Sequence, residues 1–224
     1  MAIQNNRAGG VVLRLIGILA IYFGLKFYGG ETGRLILYPI TRLVTFLHEF
    51  GHAIGAVITG GSVEGIQINN DGSGFTTTRG GSRAIILMGG YIGSAIIGNL
   101  LVFIGARYEK WSGYTIKLLA ITMAFTGLFW FNSIYTTGIL LLFAFVLWLI
   151  SAKTSFDREI LMFLGLASLL YIIQDFRIGP SSDLAAYAKT IPVLPATGWM
   201  YVWLGIVVLL SLINLRVILK SRRN

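Results

Sequence analysis

Long apolar runs separated by short polar breaks dominate this chain, and most runs are about the length that crosses a bilayer as a helix. Val11 to Gly29 is the first, with Arg14 and Lys26 near its ends, where their stems carry the charges toward an interface. Glu31 to Arg34 forms a brief polar turn, and Leu35 to Thr59 follows as a second span with Pro39 in its first turn, where proline is tolerated. Ala84 to Ala106 is the third span and Arg107 to Lys117 a basic loop. The run Leu118 to Ile150 is too long for one helix, and the breaks at Asn132-Ser133 and Thr136-Thr137-Gly138 divide it into two short spans. After a charged stretch, Ser151 to Glu159, come Ile160 to Ile173 and a last span, Trp199 to Leu219, which opens on interfacial Trp199, Tyr201 and Trp203.

One stretch departs from this pattern. Between Ser62 and Gly81, Val63 to Ile68 and Gly74 to Thr78 flank Asn69-Asn70-Asp71-Gly72-Ser73, whose residue types accept the dihedrals of a hairpin turn. The expected fold is therefore an all-α polytopic membrane protein of six to seven transmembrane helices with a short β-hairpin after the second. It is read as a single domain over residues 1–224, with a polar tail at 1–10, the hairpin at 62–81 and a basic tail at 220–224.

Composition reinforces the membrane reading, because a chain 55% hydrophobic and only 12% charged cannot form an ordinary water-soluble domain. The net charge of +9 then belongs to loops facing anionic lipid rather than to a nucleic-acid surface. Lysine and arginine concentrate on the side of Arg34, Arg107, Lys110 and the C-terminal cluster, which places the C-terminus in the cytoplasm of a multi-pass protein of the cell membrane.

The chemistry lies in the second span, at His48-Glu49-Phe50-Gly51-His52. Residues four apart share one helix face, so His48 and His52 can reach one metal ion while Glu49 stands beside them as acid and base. This is the helical zinc pattern of metallopeptidases, and it points to one zinc per chain. The chain has no cysteine and no third histidine, so the remaining protein ligand must be a carboxylate. Asp183 is the first choice, although Ser182 or Asp183 would also serve as the N-cap of the helix that begins at Leu184. Asp175 is the alternative, with pairing to Arg177 as its other explanation, and Glu64 on the hairpin comes next. In the third span, Gly89, Gly90, Gly93, Ser94, Ala95 and Gly98 allow close approach to the histidine helix. Asn99 there can either donate to a substrate carbonyl or bond across helices.

Three segments, Leu47-His48-Glu49-Phe50-Gly51-His52-Ala53, Gly89-Gly90-Tyr91-Ile92-Gly93-Ser94 and Ser182-Asp183-Leu184-Ala185, resemble the site-2 protease family of intramembrane zinc metallopeptidases. The likeness is to the compact branch found in bacteria and plants. Better-known members take their third ligand from an Asp-Gly pair within a late helix preceded by an Asn-Pro segment, and the late helices of this sequence have neither. The resemblance implies regulated cleavage of membrane-anchored protein substrates within or near their transmembrane segments. With no soluble sensing domain expected, an adaptor or sensor protein is expected as a partner that supplies selectivity. The rival reading is a metal-binding scaffold or transporter that uses the same histidines without hydrolysis, although no repeated halves of the transporter kind are visible.

Overall fold

The computed structural model describes residues 2–174, 176, 178–180 and 182–220. The chain is 79% helical with one small antiparallel hairpin, the all-α class expected from its apolar runs. In order, the elements are α1 (Ala2–Phe23) with a π-turn at Gly24–Tyr28, α2 (Gly30–Ile58), β1 (Ser62–Ile68), β2 (Gly74–Arg79) and α3 (Arg83–Met88). A second π-turn at Gly89–Gly93 leads into α4 (Ser94–Arg107), followed by α5 (Glu109–Phe129), α6 (Ile134–Lys153), α7 (Asp157–Gln174), the short α8 (Asp183–Thr190) and α9 (Ala196–Leu219). Among the described residues, five helical stretches are long and apolar enough to cross a membrane: Gly9–Tyr28, Arg83–Arg107, Glu109–Phe129, Ile134–Lys153 and Ala196–Leu219. Two further long helices, α2 and α7, pack among them; α2 carries Arg42 and the His-Glu-His group, and α7 opens on Asp157-Arg158-Glu159.

Several boundaries differ from the sequence reading. The polar group Glu31 to Arg34 is not a turn but the start of α2, whose first turns carry the Glu31–Arg34 ion pair at 3.0 Å. The reversal comes instead at Gly30, with φ of 55°, a conformation glycine adopts without strain. Pro39 consequently lies inside α2, as its tenth residue. The basic segment Arg107 to Lys117 is not a loop either. Only Tyr108 separates α4 from α5, because Ser112 and Ile116 are fully buried and hold the new helix in the bundle while its charged residues face outward. The break after α5 runs from Trp130 to Ser133, and Thr136 to Gly138 are helical because Ser133 caps α6, accepting from the Thr136 N–H at 3.1 Å.

The small-residue stripe of the third span serves two neighbours. Its first half meets α2, and its second half packs on α7, where a Cβ added to Gly165 would lie 2.5 Å from the Gly98 carbonyl oxygen. One buried core joins α2, α5, α6 and α7 through Phe46, Leu47, Ile116, Met123, Leu140 and Leu161. A second, with Tyr91, Leu184, Tyr187 and Trp203, fastens α8 against α3 and α9.

The hairpin pairs as expected, from Ser62 opposite Arg79 to Ile68 opposite Gly74, with a bulge between Val63 and Gly65. Its outer β1 edge is covered by the connection into α6: the Ile66 N–H donates to the Trp130 carbonyl and the Ile68 N–H to the Thr136 hydroxyl. In an antiparallel pair this alternation turns the backbone groups of the opposite residues, Thr76 and Gly74, away from β1. Since the sheet has only two strands among the described residues, that edge of β2 is open.

Candidate metal centre

His48 and His52 lie one turn apart on α2, and the helix delivers both imidazoles to the same side, as the i, i+4 spacing requires. Their Nε2 atoms are 3.2 Å apart. The third group comes from α8, where Asp183 Oδ2 stands 3.1 Å from His48 Nε2 and 3.3 Å from His52 Nε2. Of the two roles open to Asp183, capping is filled by its neighbour, because the Ser182 hydroxyl accepts from the Ala185 N–H at 3.2 Å. The Asp183 carboxylate is thereby free to turn toward α2. Leu184 and Tyr187, both buried, seat α8; the Tyr187 ring packs edge-on against Trp203, and its hydroxyl reaches the Met88 sulfur at 3.3 Å.

These atoms fit a divalent ion. Two nitrogens held about 2.05 Å from a tetrahedral zinc would be about 3.3 Å from each other, and the three separations here are 3.1 to 3.3 Å. His52 Nδ1 is hydrogen-bonded at 2.7 Å to the Ile86 carbonyl, so that nitrogen must carry the proton and Nε2 keeps its lone pair for the ion. The imidazoles sit above backbone rather than side chains: a Cβ on Gly90 would come within 2.5 Å of His52 Nε2 and 2.6 Å of His48 Nε2. One on Gly51 would meet the Gly89 carbonyl oxygen at 2.1 Å. The glycine run at the second π-turn therefore lets α3 approach near enough for its carbonyl to orient His52. The Tyr91 ring then closes edge-on against His48, with centroids 4.8 Å apart.

Glu49 opens into the same cavity, of about 350 Å³, without joining the three-atom cluster. The Thr76 hydroxyl of β2 contacts its Oε2 at 2.8 Å and its backbone carbonyl at 2.9 Å. Gly74, Thr76 and Thr78, alternate residues of β2, form one wall of the cavity, and Arg83 lies at its lining as well. Outside the helices, Asp71 in the hairpin turn has its carboxyl held below the usual carboxylate range by the hydroxyl and then the N–H of Ser73.

The other sequence candidates are placed elsewhere. Asn99 is not among the residues lining this cavity; its side chain bonds across helices, to Ser211 at 3.2 Å and to Asn214 at 3.0 Å. The Glu64 side chain pairs with Arg79 across the hairpin at 3.2 Å. Asp175 and Arg177 lie outside the described residues. Sequence reasoning missed Thr76 and Tyr91 as neighbours of the motif. Only the alternation of β2 could have signalled the first.

The family model described as Peptidase M50B-like matches residues 15–214. The chain belongs to that family. It is thus a site-2 protease-like integral membrane peptidase in general terms, and its apolar helices agree. No curated protein and no solved structure gives a significant match.

Proposed function

We propose that this protein is an intramembrane zinc metalloprotease of the His-Glu-x-x-His type, in which His48, His52 and Asp183 hold the ion and Glu49 is the general base. The convergence of those three ligand atoms within 4.8 Å of one another, beside a glutamate in a common cavity, carries the reading. When bound, the ion would polarise a carbonyl and acidify a water molecule. Three protein ligands leave a position open for that chemistry, whereas a purely structural site would fill all four.

The chain's own groups divide the remaining work. Glu49 takes the proton from the attacking water and returns it to the leaving amine as the C–N bond breaks. Thr76 fixes the direction of the Glu49 carboxylate, and the His52 bond to Ile86 fixes the imidazole. The open edge of β2 supplies backbone donors and acceptors to an extended stretch of substrate, which matters because a peptide bond inside a helix is shielded from attack. The substrates we infer are membrane-anchored proteins cut near or within their spans, with release of a fragment that can act as a signal. The cell membrane is the proposed location, with the C-terminus cytoplasmic and an adaptor protein supplying selectivity. Metal analysis of purified protein together with cleavage of a membrane-anchored reporter tests the proposal. One zinc per chain and metal-dependent cleavage are expected, and a zinc-loaded protein inert toward every reporter would favour a scaffold.

A further inference from the structure

The hairpin wall of the cavity is attached to α2 along one stripe of that helix, Tyr38, Arg42, Thr45 and Glu49, whose spacing of four, three and four residues keeps them on one face. Together they contact three successive points of the hairpin, Asn70, Gly72 and Thr76. The Tyr38 hydroxyl donates to Asn70 Oδ1 at 2.5 Å and the Arg42 guanidinium donates to the Asn70 carbonyl. The Thr45 hydroxyl donates to the Gly72 carbonyl at 2.7 Å, and Thr76 donates to Glu49. From α6, Tyr135 adds a bond to Asn70 Oδ1 at 3.3 Å.

Arg42 is the costly member of this set. It is only 6% exposed, forms no ion pair among the described residues, and leaves its buried Nε without a hydrogen-bond partner. A charge buried inside a membrane protein without a directly paired acid is expensive, Asp71 of the turn acting on it only from a distance, and a neutral side chain would pack there more cheaply. What compensates it is specific: its Cζ lies 3.3 Å from the centroid of the Tyr38 ring while the fork reaches the hairpin carbonyl.

We propose that Arg42 is a positioning residue, a latch that fixes the register of the hairpin against α2 and thereby holds the open edge of β2 and the Thr76 hydroxyl in place beside Glu49. The physical reason is that the turn has no core of its own. Asn69 to Ser73 is held by its own short bonds and by these contacts to α2 and α6. A shift along the helix would separate Thr76 from Glu49 together with every other rung. Arg42 lies about two turns before His48 and about three before His52, so loosening it leaves His48, His52 and Asp183 in their places.

The test uses full-length, zinc-loaded protein in detergent or nanodiscs and compares Arg42→Met, Arg42→Lys and Thr45→Val with the parent. Hydrogen exchange of residues 69–79 is the primary readout, because it does not depend on the hydrolase reading on which the kinetic arm rests. Exchange in that segment is expected to quicken about tenfold or more in Arg42→Met, less in Arg42→Lys, with zinc content and the melting temperature close to parent. With a peptide substrate, KM is expected to rise about tenfold as the β2 edge is displaced, and kcat to fall by no more than the roughly tenfold that loss of the Thr76 contact to Glu49 accounts for. Unchanged exchange at 69–79 would overturn the proposal, as would acceleration spread over the whole chain together with loss of zinc. If Arg42→Met does not accumulate, Arg42→Lys and Thr45→Val are read by the same criteria. Latch-like exchange with no cleavage by any form, parent included, would count against the hydrolase and leave the latch standing.

Discussion

His48 Nε2 and Asp183 Oδ2 face each other at 3.1 Å although the two residues are 135 positions apart in sequence. Ser182, rather than Asp183, caps α8, so the Asp183 carboxylate faces α2 without serving as the cap. Asp183→Asn is therefore expected to lower zinc affinity by more than about a hundredfold while the protein stays folded. Ser182→Ala, which removes the cap at a cost of about 1 kcal/mol, should keep most of the metal. Metal content and melting temperature of the two variants check this. Equal zinc in parent and Asp183→Asn would move the third ligand elsewhere, with Asp175 the next residue to change.

Removing either imidazole leaves two donors, too few for a stable zinc site. His48→Ala and His52→Ala should each lose most bound metal, as measured on protein purified without chelators. His52→Ala also removes the bond by which the Ile86 carbonyl of α3 is tied to α2, and should destabilise the fold more than His48→Ala.

Glu49 approaches the cavity without ligating, so metal and activity should separate there. Glu49→Gln is expected to retain about one zinc per chain and to cut turnover by about a thousandfold, since an amide cannot accept the water's proton. Thr76→Val removes the hydroxyl that aims Glu49 and should reduce kcat about tenfold with zinc unchanged. Parent-like turnover in Glu49→Gln would end the hydrolase assignment.

The approach of the second π-turn to the histidines makes Gly90 the most sensitive small residue. A single methyl there collides with both Nε2 atoms, so Gly90→Ala should lose most of its zinc while far-UV circular dichroism shows helix content preserved or slightly raised. Parent-like zinc binding would mean that α3 can retreat from α2 without consequence.

The class of protein, the order of its apolar runs, the hairpin and the pair of histidines were legible in the sequence because each depends on residues close together in the chain. The spacing from His48 to His52 is a property of one helix turn, and the Asn-Asn-Asp-Gly-Ser turn is a local dihedral preference. Helix ends were less legible. The charges from Arg107 to Lys117 read as a loop, yet Ser112 and Ile116 are buried by helices distant in sequence, and burial decided that this stretch is helical. The same holds for the site's other half. Asp183 is a capping residue or a ligand by local rules alike, and only the packing of Leu184 and Tyr187 against α3 and α9 turns its carboxylate to α2. Asn99 was polar enough for substrate, but the neighbours that claim it, Ser211 and Asn214, lie 112 and 115 positions later. The sequence by itself determined which side chains could do chemistry, since that follows from residue type and local spacing. Which of them meet was decided by the tertiary structure, because contacts between distant helices depend on how their surfaces pack, and no local preference encodes that.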